Sequence, residues 1–198
     1  MRRMLLVFVL GLAAATGCAP PKMLDSWKSP ELQKGSLRRM LIIGVFPTPG
    51  GRETVEGQFV DQLRQDGMEP MASHSYVRAD EMNAAAITEK LGFEAIVLAR
   101  LLDRPTYEQL YPPKRAETDM PVGYSDAWYP EYVRSKDTIA NTDSSLAAAR
   151  VETRVFDARA QKLVWSGVSK NELDGRDPAQ IHDAVAVILK SMREEGLY

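Results

Sequence analysis

The chain has 198 residues, a formal net charge of −2, a hydrophobic fraction of 44%, one cysteine and two histidines. Its length suits one domain, and a charged fraction of 26% is ordinary for a folded one. One cysteine excludes an intrachain disulfide framework and a multi-cysteine metal cluster, two histidines leave little for a zinc or non-haem iron site, and the near-neutral balance argues against bulk nucleic-acid affinity, so no cofactor is expected.

Arg2 and Arg3 precede an uncharged apolar run over residues 4–15. The run is too short for a comfortable transmembrane helix, which needs about 20 apolar residues, and fits the apolar region of a signal peptide. Ala15-Thr16-Gly17-Cys18 follows, and this pattern resembles the lipobox of bacterial lipoproteins, with Ala15 where leucine is commonest. The resemblance implies that residues 1–17 are a signal segment and that Cys18 is acylated, which makes the lipid bilayer a partner. Ala19 after the cysteine implies the periplasmic face of the outer membrane as the address. The competing reading is an ordinary secretory signal with Cys18 incidental.

Residues 18–36, opening on Ala19-Pro20-Pro21-Lys22, read as an extended tether, with Trp27 packing over the domain edge. The domain proper then covers residues 37–198. Its first strand is the continuous apolar run over residues 40–46, closed by Pro47-Thr48-Pro49-Gly50-Gly51. Residues 53–65 follow as an amphipathic helix with Val55, Phe59, Val60 and Leu63 inward. Residues 68–72 read as a short strand that Pro70 sends to a sheet edge. Residues 80–91 read as a second helix, and residues 93–102 as another buried strand. Residues 146–157 alternate, with Ala149, Val151, Thr153 and Val155 on one face and Arg150, Glu152 and Arg154 on the other. They pair as a hairpin with residues 162–170. A last helix begins with Asp177 as N-cap and Pro178 at N1, and buries Ile181, Ala184, Val185, Ile188 and Met192. The expected fold is α/β, a single mixed sheet in the order β-α-β-α-β-loop-β-β-α flanked by helices, parallel in its first half.

Residues 103–145 show no clear periodicity and hold five of the seven tyrosines, together with Trp128 and several prolines. Such a long connection is usually functional. The simplest use of its aromatic side chains is to fold back over the sheet. The alternative is a surface for a partner protein, in which Tyr111, Tyr124, Trp128, Tyr129 and Tyr132 are the candidate contacts, since Tyr and Trp give large contact area at low entropic cost. Contact with a glycan strand is a third use.

Other chemistry is thin. Ser73-His74-Ser75 places a histidine among hydroxyls, but catalysis needs the two groups opposed and an orienting acid. His182 reads as a boundary position on the last helix, and Gly50-Gly51-Arg52 as a turn rather than a phosphate loop. Asp61 and Glu81 read as solvated helix charges, and Lys22, Lys28, Lys34, Arg38 and Arg39 as a solvated basic stretch that could also touch anionic head groups.

Taken together, Cys18, Asp25-Ser26-Trp27-Lys28, Leu41-Ile42-Ile43-Gly44-Val45, Gly92-Phe93-Glu94-Ala95-Ile96-Val97 and Val155-Phe156-Asp157 with Lys162-Leu163-Val164-Trp165-Ser166 resemble bacterial envelope lipoproteins. These are similar in fold to the TolB N-terminal domain, the lipoprotein activators of penicillin-binding proteins and the curli-secretion lipoprotein. The resemblance implies a non-catalytic binding or assembly module, anchored to the outer membrane, for another envelope component. A structural, oligomer-forming secretion or assembly subunit is the alternative, and a carboxylate-dependent hydrolase a remote one. The oligomeric state stays open, and no nucleic-acid partner is expected.

Overall fold

The computed structural model describes residues 20–76, 92–102, 104–112, 120, 127–140, 150–170 and 178–198. The signal segment, Cys18, the helix expected over residues 80–91, Tyr124 and the N-cap Asp177 lie outside the described residues. Six strands form one mixed sheet. They are β1 (Lys22–Lys28), β2 (Arg39–Val45), β3 (Glu69–Ala72), β4 (Ala95–Leu102), β5 (Arg150–Asp157) and β6 (Lys162–Lys170), in the spatial order β1-β6-β5-β4-β2-β3. Strands β2, β3 and β4 are parallel, whereas β4–β5, β5–β6 and β6–β1 pair antiparallel. The fold is therefore the α/β single mixed sheet that the order of apolar runs implies.

The apolar run of β2 splits by parity between two cores. Met40 and Ile42 face one side with Ala95, Val97, Val151 and Val155, under helices α1 (Pro49–Gln65) and α4 (Pro178–Glu194). Leu41, Ile43 and Val45 face the other with Ile96, Leu98 and Phe156. A strand covered on both faces needs no polar alternation, which is why the run is continuous.

Helix α1 starts four residues before the expected Glu53. The Thr48 hydroxyl accepts the Gly51 N–H at 3.1 Å and Pro49 stands at the helix start, so the Gly-Gly pair is the first turn of the helix. Its C-terminus closes with Gly67 N–H on Arg64 O and Met68 N–H on Leu63 O, both 3.0 Å, and α4 ends alike at Gly196. Both glycines take positive φ, 79° and 78°, where other L-residues are strained. Helix α4 buries the expected stripe, Ile181, Ala184, Val185, Ile188 and Met192.

Two expectations are corrected. The tether over residues 18–36 contains an edge strand, since Lys22–Lys28 pairs with β6 through a bulge between Met23 and Asp25. Trp27 is buried in the second core and Met23 packs against the first, so apolar side chains on both faces hold the strand down. The long connection over residues 103–145 contains helices α2 (Arg104–Leu110) and α3 (Trp128–Ala140). Prolines 105 and 130 look like loop signals, but each falls in the first turn of its helix, where the N–H has no intrahelical acceptor to lose.

At the β5–β6 turn, the Asp157 carboxylate accepts the Arg159 and Ala160 N–H groups at 2.8 Å each. Just beyond it Trp165 is fully buried beside Gly167, where an added Cβ would lie 2.4 Å from the indole and 2.8 Å from Met23 Cε. Gly167→Ala is expected to destabilise the fold by about 1–3 kcal/mol through overpacking, read as a lower urea midpoint. An unchanged midpoint would show that the indole shifts without cost.

Tyr198 ties the C-terminus back. Its hydroxyl donates to Asp66 Oδ2 at 3.2 Å and lies 3.1 Å from Leu189 O. Burial, foremost, pushes its pKa up to about 12 from an ordinary 10. A raised acid pKa makes the neutral form the folded one, so this contribution is whole below pH 10 and is lost as pH rises toward 12. Stability of Tyr198→Phe should therefore fall less than that of the native chain between pH 10 and 12 in urea titrations. Equal slopes would count against this.

Candidate functional site

Two polar clusters are built into the interior. The first lies between the sheet and α3. Parity puts Arg100 of β4 and Glu152 and Arg154 of β5 on the face opposite α1 and α4, with Arg100 directly across from Glu152. The alternation in β5 leads one to expect a solvated face here; instead Arg100, Glu152 and Arg154 are all buried. Helices α2 and α3, which cover this face, are the elements that the proline-rich composition hides.

Arg100 Nε donates to Glu152 Oε2 at 2.5 Å, and Arg154 Nη2 lies 2.8 Å from the same oxygen. Tyr111 donates its hydroxyl to Glu152 Oε1 at 3.0 Å. Arg154 Nη1 donates to Glu131 Oε2, and Arg134 of the next helical turn stands 3.3 Å from Glu131 Oε1. Arg100 Nη1 also donates to the Ser135 hydroxyl at 3.2 Å, which in turn donates to Glu131 O at 2.6 Å. Every carboxylate oxygen of Glu131 and Glu152 thus has a cationic or hydroxyl donor. The arrangement clamps α3 to the sheet; a hydrolase pair would need one carboxyl free of such partners to carry a proton.

The second cluster sits at the C-terminal end of the parallel strands. Glu56 of α1 is completely buried. Its Oε1 accepts the Gly44 N–H at 2.8 Å, Arg52 Nε at 3.0 Å and the Ser73 hydroxyl at 2.7 Å. Its Oε2 accepts the His74 N–H at 2.8 Å and His74 Nδ1 at 2.7 Å. Gly44 leaves the room for this, since a Cβ there would lie 3.3 Å from Glu56 Cγ. The Ser73-His74 pair thus has an acid, but both residues point at it. The Ser73 hydroxyl is buried, donates to the carboxylate and receives Arg52 Nη2 at 2.7 Å, so no histidine nitrogen is placed to take its proton. Chemically this is a carboxylate knot joining α1, β2 and the 3-10 turn Ser73–Ser75.

The sequence-derived contact residues are distributed unevenly. Trp128 and Tyr132 are buried over Leu41, Ile43 and Leu98, and Tyr111 is buried with Leu102 and Val168. Their place as partner contacts is corrected: an apolar sheet face must be covered, and these rings cover it. Tyr129 remains at the surface, 36% exposed, edge-on to Trp128 at 5.5 Å, with Val133 41% exposed one turn along. Lys136 lies 5.6 Å over the Tyr132 ring. His182 bridges the helices, 3.1 Å from Gln58 Oε1 and 3.3 Å from Gln62 Nε2. Much of the basic stretch is engaged: Lys28 donates to Glu195 O at 2.8 Å, Arg39 stacks over Phe93, and Arg38 pairs loosely with Glu69. The Arg38 and Arg39 N–H groups both donate to Glu94 Oε2, and these bonds hold the Glu94 carboxyl below its ordinary pKa. Among the described residues no group of three or more His, Cys, Asp or Glu could hold a metal ion, and no helix is long and apolar enough to cross a membrane.

The class that this geometry defines is a single mixed α/β sheet domain with helices on both faces. No protein-family model matches the chain, and comparison with curated proteins gives no match. Solved structures that overlap it include the PelC dodecamer from Paraburkholderia phytofirmans, at 12% identity and a TM-score of 0.45, covering 87% of this chain and 95% of that one. A point variant of the same dodecamer overlaps at 10% identity and a TM-score of 0.44, covering 83% and 96%. These figures describe the course of the chain and assign this protein neither that assembly nor its partners.

Proposed function

We propose that this protein is a lipid-anchored, non-catalytic module of the cell envelope that works by binding another envelope component. The observation that carries the non-catalytic reading is the closure of both interior polar clusters: the acids and the Ser73 hydroxyl are spent on internal partners. The anchor rests on Cys18, the sole cysteine, standing behind a charged and then apolar segment. Several acyl chains on one residue would hold the domain stably at a bilayer.

Metabolic labelling with palmitate tests the anchor: incorporation should be lost in Cys18→Ser, and equal labelling of both would overturn it. Crosslinking in intact cells, read by mass spectrometry, tests the binding role. A reproducible envelope partner is expected, and its absence in cells expressing the native chain would count against that role. A second reading, an oligomer-forming assembly subunit, is favoured by exposed Tyr129 and Val133, an apolar pair on α3 suited to a contact between copies. Light scattering of the detergent-purified protein separates the two, because a closed ring, of twelve copies or another number, supports assembly and a monomer removes it.

A further inference from the structure

We propose that the end of the sheet carrying Lys22, Lys170 and Arg150 faces the anionic head groups of the bilayer; this rests on the acylation of Cys18 proposed above. Lys22 pairs directly with Lys170, and Lys170 directly with Arg150, so three cations stand in register on adjacent strands β1, β6 and β5. Residues directly opposite in a ladder share a face, and adjacent strands lie about 4.8 Å apart, so the row spans roughly 10 Å. Like charges so placed repel. Among the described residues none of the three is in an ion pair. Arg150 lies over the Tyr107 ring at 4.9 Å, and among the described residues its buried Nε has no hydrogen-bond partner. Among the described residues the row is thus a positive edge without a paired counter-charge.

Its position relative to the anchor gives it a partner. With residues 18–36 as a flexible tether, the domain would range freely above the membrane. With β1 starting at Lys22, only three residues separate the strand from Cys18. Four residue steps span at most about 14 Å, within reach of the head-group layer for a lysine side chain. Lys22 therefore enters the interface next to the anchor, and pairing with β6 and β5 brings Lys170 and Arg150 to the same level. Anionic lipids attract such residues at short range, so the row orients the domain on its anchor. The same end of the sheet holds the C-termini of β2 and β4, which places the Glu56 knot toward the membrane and the β5–β6 turn away from it.

The test is lysine footprinting of the intact, processed protein, purified in neutral detergent and reconstituted into vesicles of phosphatidylcholine with or without phosphatidylglycerol. Acetylation of Lys22 and Lys170 is read by mass spectrometry against Lys162, at the far end of β6, and Lys190 on α4. Phosphatidylglycerol should lower Lys22 and Lys170 labelling about threefold or more relative to these two controls, and Lys170→Glu should restore labelling of Lys22. Equal labelling ratios in both vesicles, on protein whose intact mass shows the acyl chains, would overturn this orientation alone. An intact mass without acyl chains would overturn the anchor reading and this proposal with it.

Discussion

Replacing Glu152 by alanine is expected to lower folding stability by about 3–5 kcal/mol, because the substitution strands charges that are already out of water. Glu152 is fully buried, and both oxygens are engaged: one by Arg100 and Arg154, the other by Tyr111. Without it, the buried Arg154 retains Glu131, whereas the buried Arg100 keeps only the Ser135 hydroxyl among the described residues. For a chain of this size, such a loss corresponds to a fall in Tm on the order of 10 °C. Thermal unfolding followed by circular dichroism reads it directly. The arginine–carboxylate pair itself can be weighed by a double-mutant cycle. Arg154→Leu and Glu131→Leu should each destabilise strongly, and the double variant should cost less than their sum, since it removes both charges together. Strict additivity would mean that the two side chains do not share a bond in solution.

Glu56→Ala should have an effect of similar size, about 3–5 kcal/mol, for a different structural reason. Glu56 accepts two backbone N–H groups, Gly44 and His74, besides Arg52, Ser73 and the His74 ring. Alanine leaves these donors in a space that its methyl group does not fill, and it unpins the turn after β3. Glu56→Gln keeps the shape but offers one acceptor oxygen in place of two, so it should fall between the native protein and the alanine variant. Hydrogen exchange locates the loss: the His74 amide should lose protection in both variants before the amides of β5 and β6 do. A Glu56→Ala protein as stable as the native chain would show that the knot is incidental.

Much of the sheet is legible in the chain. The continuous runs of β2 and β4 announce strands covered on both faces, and Pro70 announces the edge position of β3. The stripe of α4 and the alternation of β5 name the residues that meet in the first core. The interior charges are not legible in the same way. Glu56 lies one position along from Val55 and one turn before Phe59 and Val60, a place where a helix normally carries solvated charge. Burial becomes tolerable through donors that come from β2 and from a turn seventeen residues on. A signal for it does exist, since the breadth of the inward face of α1 and the adjacent Arg52 both point to a polar group at its margin.

The cluster between the sheet and α3 is hidden for a related reason. Arg150, Glu152 and Arg154 alternate with apolar residues as a half-exposed strand does, and alternation reports only that two faces differ. Whether the charged face meets water depends on what covers it. The cover here is α3, whose Pro130 and aromatic residues resemble a loop to any reading by composition. Only its position in the first helical turn reconciles proline with helix.

The amino-acid sequence by itself determines the elements whose period matches their surroundings, and with them the mixed α/β sheet and its first core. It also supplies the one anchor-like cysteine. The tertiary structure alone decides that Lys22–Lys28 is an edge strand, that Trp128 and Tyr132 turn inward, and that Arg100, Glu131, Glu152 and Arg154 neutralise one another. Each of those outcomes depends on partners distant in the chain, because a buried charge is stable only where its counter-charge is placed, and an edge strand only where a neighbouring strand offers its free groups.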